Sequence, residues 1–252
     1  MSAYVLARLA LIPLVVWLAS LAARRWGHAL SGWLSGLPII AGPLMLFITL
    51  DQGPAFAQST ALIILQTMPA VALHCLAFAW AARRFGWIVA LLIALAAYVG
   101  VALLSSTFTL TLGAALTYAM AVVTISIVAM PRVRGDDQPA PIPTTEVAVR
   151  MVFAFVIAAL VTLGATHFGP RLSGILMTIP IAGIVLPAFT RALHGPTQTV
   201  RLLAGFAQGL IGFALFFAVL IGALADQSVA VAFTLASLTA LATSELVRRL
   251  SK

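Results

Sequence analysis

Two glutamines and one histidine stand inside long apolar stretches of this chain, where a polar side chain could contact a solute. Gln66 and Gln208 lie 142 positions apart, and His74 follows Gln66 in the same apolar stretch. An amide both donates and accepts hydrogen bonds, and a histidine can change its charge near neutral pH. We therefore predict that the two glutamines face a central substrate site and that His74 is a candidate for proton coupling. The alternative for each is a structural bond to a neighbouring helix.

The other candidate residues lie in a stretch that occurs twice. Residues 27–54 read GHALSGWLSGLPIIAGPLMLFITLDQGP, and residues 169–196 read GPRLSGILMTIPIAGIVLPAFTRALHGP. The two copies align without a gap, so that each residue of the first matches the residue 142 positions later and Pro38 matches Pro180. So many identities at one offset indicate an internal duplication.

Prolines and glycines interrupt both copies of this stretch. Proline removes a backbone N–H donor and clashes with the preceding helical turn. Interruptions at matching places in two halves of a membrane protein are the best sequence indication of a transporter's binding site, because broken helices leave backbone groups free to meet a solute. The alternative is that the prolines only bend the helices and the glycines allow close packing. The predicted substrate-binding residues are Ser31, Gly36, Pro38, Gln66, Ser173, Thr178, Pro180 and Gln208.

Charged and metal-binding side chains are missing from the apolar stretches. All six acidic residues lie in loops or at helix ends, which leaves a cation without a buried partner. We therefore predict a small anionic or neutral polar solute. The four histidines are scattered and Cys75 is the single cysteine, so we predict no metal, no cofactor and no catalytic cluster, and hence no enzyme. No basic and aromatic stripe indicates a nucleic-acid partner.

The composition places these residues in a lipid bilayer. Hydrophobic residues make up 63% of the chain and charged residues 8%, whereas soluble domains are about half apolar and about a quarter charged. Apolar runs of this length span a membrane as helices, since a spanning segment must satisfy its own backbone polar groups. The nine runs are Tyr4–Ala23, Ala29–Leu50, Phe56–Ala82, Trp87–Leu104, Phe108–Met130, Glu146–Thr166, Leu172–Leu193, Val200–Leu224 and Val229–Val247.

The basic residues predict how these spans are oriented. Cytoplasmic loops collect Lys and Arg, and the boundaries between the runs alternate between basic and non-basic. All but Arg8 and Arg171 of the 14 Lys and Arg residues then fall on the cytoplasmic side, with the N-terminus outside and the C-terminus inside. Where one copy has a basic residue at a helix boundary, the matching position of the other copy has none, as Arg191 and its counterpart Thr49 illustrate. This pattern is expected when the second copy is inverted in the membrane.

We therefore predict an all-α integral membrane protein built from two inverted-topology four-helix repeats. The first repeat occupies residues 1–104, a linker helix residues 105–130, a cytoplasmic linker residues 131–145 and the second repeat residues 146–252. The short loops and the distribution of basic residues favour the bacterial cytoplasmic (inner) membrane.

The predicted function is that of a small secondary transporter or permease. It moves its solute by alternating access, with the binding site between the broken second and seventh helices. The alternatives are a channel, whose selectivity comes from the pore lining, or a non-transporting membrane subunit or scaffold of a larger complex. Glycine-rich faces such as Gly205-x-x-x-Gly209 are also compatible with a homo-oligomer.

Overall fold

A computed structural model describes Trp17, residues 27–134 and residues 143–250 of the chain. In these residues the backbone forms eight α-helices and no strand. The first predicted span, Tyr4–Ala23, lies outside the described residues except for Trp17, and so does most of the predicted cytoplasmic linker. The helices are α1 (Gly27–Ser35), α2 (Ala41–Gln52), α3 (Pro54–Ala82), α4 (Trp87–Ser105), α5 (Leu112–Val128), α6 (Thr144–Thr178), α7 (Ile181–Asp226) and α8 (Val229–Leu250).

Several helical segments have the length and the surface that a membrane requires. Four are long and apolar enough to cross a bilayer, and α5 is apolar but shorter. Their outer faces carry exposed hydrophobic side chains, such as Leu92 on α4 and Leu238 on α8, which are 61% and 60% exposed. Extended apolar faces of this kind are rare on soluble monomers. The prediction of an all-helical fold is therefore confirmed for the described residues, in which four helical segments are long and apolar enough to span a membrane. The four segments are Pro54–Ala82, Trp87–Ser105, Gly169–Asp226 and Val229–Leu250.

Four glycines turn the chain at the ends of helical segments. Gly27, Gly53, Gly169 and Gly195 have φ angles of 55°, 84°, 68° and 79°, and they are the only described residues with positive φ. Glycine adopts this conformation without strain because it has no Cβ. Proline follows the last three of these glycines, at the first helical position, where the missing N–H has no intrahelical partner to lose. Consequently α6 and α7 each consist of two helical segments joined at a Gly-Pro turn.

The centre of the bundle is formed by α3 and by residues 196–226 of α7. Two outer helices pack on this centre, α4 against α3 and α8 against α7. Each outer helix buries a stripe of small side chains, exemplified by Ala90 and Ala94 in α4 and by Ala232 and Ala236 in α8. Residues four positions apart share one helix face, and alanine lets two backbones approach closely. The alanines of the two stripes lie 142 positions apart.

Glycines bring α1 into backbone contact with α7. A Cβ added to Gly36 would lie 2.9 Å from the Cα of Gly209, and a Cβ on Gly205 would lie 2.9 Å from the carbonyl carbon of Ala29. No larger residue fits at these positions without a shift of the backbone. The prolines and glycines of this region therefore serve two purposes, since they both interrupt the helices and permit close packing.

Two further close approaches of glycine to backbone occur at positions related by the 142-residue offset. A Cβ on Gly32 would lie 2.7 Å from the carbonyl carbon of Leu202, and a Cβ on Gly174 would lie 2.9 Å from the carbonyl oxygen of Thr60. Gly174 stands 142 positions after Gly32, and Leu202 stands 142 positions after Thr60. The short segment of each pair thus packs on the long helix of the other half of the chain.

Candidate solute-binding site

Two interruptions in the helices face each other inside the bundle. The first separates α1 from α2 at residues 36–40, and the second separates α6 from α7 at Ile179 and Pro180. Pro38 and Pro180 lack the N–H group that would continue a helix. Both interruptions use the same backbone hydrogen bonds at positions 142 residues apart. In the first interruption the N–H groups of Leu37, Ile39 and Gly42 donate to the carbonyl oxygens of Leu34, Leu37 and Pro38, respectively. In the second, the N–H groups of Ile179, Ile181 and Ile184 donate to the carbonyl oxygens of Leu176, Ile179 and Pro180, respectively.

The helices that follow the interruptions begin with unused backbone donors. The N–H groups of Ile40 and Ala41 at the start of α2, and of Gly183 at the start of α7, have no acceptor among the described residues. The first turn of a helix always leaves such groups, and together they carry a partial positive charge. Water or a solute can therefore accept a hydrogen bond at these two positions.

A cavity of about 100 Å³ lies between the two interruptions. An engineered apolar cavity of ~150 Å³ holds benzene, so this one has room for a solute of a few heavy atoms. None of its lining residues is charged. The lining comes from residues 34–41 except Pro38, from residues 177–182, and from Leu44, Val71, Phe206, Leu210 and Phe213.

Three buried hydroxyl groups meet at the edge of the cavity. We call Thr67, Tyr98 and Thr178 the hydroxyl cluster, and Thr178 is the member that lines the cavity. Thr178 Oγ1 lies 3.3 Å from Thr67 Oγ1 and 3.2 Å from the Tyr98 hydroxyl oxygen. Each threonine also donates to a carbonyl of its own helix, Thr67 to Ile63 at 2.7 Å and Thr178 to Ile175 at 2.8 Å. The cluster joins α3, α4 and α6.

The positions that match the two threonines carry no hydroxyl group. Gly209 stands 142 positions after Thr67, and Gly36 stands 142 positions before Thr178. These two glycines contact each other through their backbones, as the two threonines do through their hydroxyl groups. The paired hydroxyl groups therefore occur at only one of the two matching crossings, although Ser35 brings another hydroxyl to the lining from the first interruption.

Three of the eight predicted substrate-binding residues line the cavity, namely Gly36, Thr178 and Pro180. Ser31, Pro38, Ser173 and Gln208 lie outside the lining. Ser31 and Ser173 are buried, and the Ser173 hydroxyl has no hydrogen-bond partner in the described part of the chain. Gln208 is half-buried. The two serines thus belong to the broken helices without lining the cavity, and Gln208 lies on the long segment of α7 outside it.

Gln66 also lies outside the cavity, and its amide bonds to the chain itself. Its Nε2 donates to the carbonyl oxygens of Ser105 and Phe108, and its Oε1 accepts the Leu110 N–H at 3.4 Å. Gln66 therefore fastens α3 to the turn between α4 and α5. This geometry corresponds to the structural alternative of the sequence analysis rather than to contact with a solute.

His74 stands behind the second interruption and does not line the cavity. Its Nε2 lies 3.0 Å from the carbonyl oxygen of Gly183, and this nitrogen must carry a proton because a carbonyl can only accept. The ring meets Tyr98 edge-on, with 6.4 Å between the ring centroids. His74 thereby holds the first turn of α7 in place. Proton coupling through His74 stays a prediction.

Tyr98 and Thr67 were not among the residues that sequence patterns predict. Both lie within long apolar runs, in which one hydroxyl group is common and carries no periodic signal. Their importance follows from the contact with Thr178, which is 80 positions from Tyr98 and 111 positions from Thr67. The signal that could have identified them is the loss of symmetry between matching positions, since Thr67 matches Gly209 and Tyr98 matches Ala240.

Metal ligands and known relatives give no further indication of the chemistry of this site. Within the described residues, no group of three or more His, Cys, Asp or Glu side chains could hold a metal ion. No family model, curated protein or solved structure matches the chain. The interpretation of the cavity therefore depends on its own geometry.

Proposed function

We propose that this chain is a small secondary transporter or permease of the bacterial cytoplasmic membrane. It moves a small anionic or neutral polar solute by alternating access, and the cavity between the two helix interruptions is its binding site. The observation that carries this proposal is the cavity itself, which two interrupted helices enclose and no charged side chain enters. Interrupted helices suit this purpose because their free backbone groups replace part of the water that a solute loses.

We infer that the binding groups are the hydroxyl of Thr178 and the backbone of the two interruptions. Gly36 and Pro180 contribute backbone to the lining, and Ala41 has an N–H group without an acceptor. Gln66 and Gln208 are not part of this set. A site of donors without acidic side chains favours a solute that accepts hydrogen bonds over a cation.

The same proposal includes two inverted four-helix repeats, in residues 1–104 and 146–252, joined by a linker helix. The reciprocal contacts of Gly32 and Gly174 support this arrangement. So does the contact between His28 and His194, whose ring centroids are 5.0 Å apart. One histidine is at the start of the first broken helix and the other at the end of the second, and this contact between opposite ends supports the proposed inversion.

Alternating access is tested by the reactivity of one cysteine from the two sides of the membrane. Cys75 is the only cysteine and is buried, so Cys75→Ala supplies a cysteine-free background. In that background Ser35→Cys places a thiol in the cavity lining. We expect a membrane-impermeant methanethiosulfonate reagent to modify this thiol from either side, in right-side-out and in inverted vesicles. The matched control is Ala96→Cys on the exposed face of α4, which should react from neither side.

The other outcomes identify the alternatives. Modification of Ser35→Cys from one side only, or from neither, contradicts alternating access and favours a membrane subunit or scaffold. Modification from both sides together with a solute flux that does not saturate with concentration favours a channel. A saturating flux supports the transporter.

A further inference from the structure

The cavity lining indicates the class of solute, an inference that rests on the proposed function because it concerns the same site. We propose that the site takes an uncharged solute of about five heavy atoms that presents a hydrogen-bond-accepting head group. Thr178 contacts the head group, and Tyr98 is the residue that positions the Thr178 hydroxyl. Short-chain amides such as propionamide have this chemistry.

The hydroxyl cluster has one proton that is not committed to a backbone carbonyl. Thr67 donates to Ile63 and Thr178 donates to Ile175, so both threonine protons are in use. The remaining proton belongs to Tyr98, which therefore donates to Thr178 Oγ1 across 3.2 Å. Thr178 keeps this bond when its own proton turns from its helix towards a solute in the cavity. Tyr98 thus leaves the Thr178 hydroxyl oriented as a donor for an acceptor group on the solute.

The rest of the lining contains both apolar and polar groups. Val71, Phe206 and Phe213 contribute side chains without a hydrogen-bonding group. Ser35 contributes a hydroxyl from the first interruption, and the Ala41 N–H has no acceptor among the described residues. The lining therefore offers donors from both interruptions and favours a solute that accepts hydrogen bonds.

Because no lining side chain is charged, solutes of equal shape should differ in affinity when they differ in charge. Propionamide and propionate have the same number of heavy atoms, but only propionate brings a charge into the cavity. No lining side chain can neutralise it, and the partial positive charge of the helix starts offsets only a small part of the far larger cost of an unpaired charge in an apolar site. Propionamide should therefore bind more tightly than propionate.

Ligand-observed saturation-transfer NMR on the detergent-purified chain tests this order, with propionamide and propionate as probes. We expect millimolar affinity for propionamide, because so few atoms make few contacts. The variant Ala182→Phe fills the cavity and supplies the background signal from the detergent micelle, while Ala96→Phe makes the same change on the exposed face of α4. Propionamide binding should persist in Ala96→Phe and disappear in Ala182→Phe.

Variants of the hydroxyl cluster test the two residues separately. Tyr98→Phe removes the positioning proton and should weaken propionamide binding by roughly 3- to 10-fold, the effect of one hydrogen bond. Tyr118→Phe is the matched control, since it also loses one tyrosine hydrogen bond, to Ser105 at 3.3 Å, away from the cavity. Thr178→Val should abolish propionamide binding, and Thr178→Ser should retain it. Circular dichroism verifies that each variant is folded.

Three results would overturn the inference. The first is equal or tighter binding of propionate, which contradicts an uncharged solute. The second is an equal effect of Tyr98→Phe and Tyr118→Phe, which contradicts the positioning role of Tyr98. The third is the absence of any propionamide signal above the Ala182→Phe background. None of these results contradicts the transport proposal, because the two-sided reactivity of Ser35→Cys is measured without added solute.

Discussion

Gly36 meets Gly209 backbone to backbone beside the cavity, whereas Thr178 and Thr67 meet at the matching positions through hydroxyl groups 3.3 Å apart. The same helix crossing is therefore made by bare backbone on one side of the cavity and by polar side chains on the other. This difference means that the two halves of the chain should respond differently to substitution.

The glycine crossing predicts a destabilising effect of a single methyl group. Gly36→Ala should lower the free energy of unfolding by about 1–3 kcal/mol, because its Cβ would overlap the backbone of Gly209. Gly100→Ala is the matched control in α4, where nothing lies within 4 Å of an added Cβ, and it should be neutral or stabilising by up to ~1 kcal/mol. Thermal unfolding in detergent measures both. Equal stability of the two variants would show that α1 and α7 are not in backbone contact.

The cavity predicts that a larger side chain blocks access to its lining. Ala182→Phe, introduced together with Ser35→Cys and Cys75→Ala, should slow modification of the cysteine about tenfold or more, which corresponds to ~1.4 kcal/mol of steric cost. The reason is that Ala182 and Ser35 line the same space from opposite interruptions. Ala96→Phe in the same background should leave the rate unchanged. An unchanged rate in Ala182→Phe would mean that the reagent reaches residue 35 by another path.

Gln66 is predicted to affect stability rather than solute binding. Gln66→Ala leaves buried carbonyl groups near the start of α5 without a donor, and we expect a loss of about 1–3 kcal/mol in the free energy of unfolding. Gln208→Ala should cost less, since Gln208 is only half-buried. Propionamide binding should be retained in both variants. Loss of propionamide binding in a stably folded Gln66→Ala variant would show that Gln66 takes part in solute binding.

His74 is predicted to hold the start of α7 through its bond to Gly183. His74→Leu removes the donor and leaves a buried carbonyl unsatisfied, so it should destabilise the chain by about 1–3 kcal/mol. His74→Gln can still donate and should recover part of this loss. Thermal unfolding of the two variants provides the comparison. If both are as stable as the unchanged chain, the bond to Gly183 contributes nothing, and the predicted role of His74 in proton coupling becomes the stronger explanation for its position.

The helix interruptions could be predicted from the sequence because their causes are local. Pro38 and Pro180 cannot donate a helical hydrogen bond, and the glycines before Pro54, Pro170 and Pro196 adopt positive φ in the structure. Neither property depends on what packs nearby. The predicted runs Phe56–Ala82 and Val229–Val247 accordingly agree with the bounds of α3 and α8 to within a few residues.

The direction of a polar side chain could not be predicted in this way. Gln66 stands in an apolar helix and its sequence neighbours do not distinguish the face towards the cavity from the face towards the turn after α4. Its partners, Ser105 and Phe108, are about 40 positions away, and the amide turns to them because a buried amide costs free energy until it is hydrogen-bonded. Contact of the two glutamines with a solute stays a prediction, and for Gln66 the structure shows the partners of the structural alternative.

By itself, the sequence determined the helical class, the places where helices break and the uncharged character of the apolar stretches, since each depends on residue type and on spacing along the chain. Only the tertiary structure decided which polar groups border the cavity. Tyr98 reaches Thr178 because α4 packs on α3 and α3 packs on α6, and such contacts depend on the shapes of whole helix faces rather than on any local pattern.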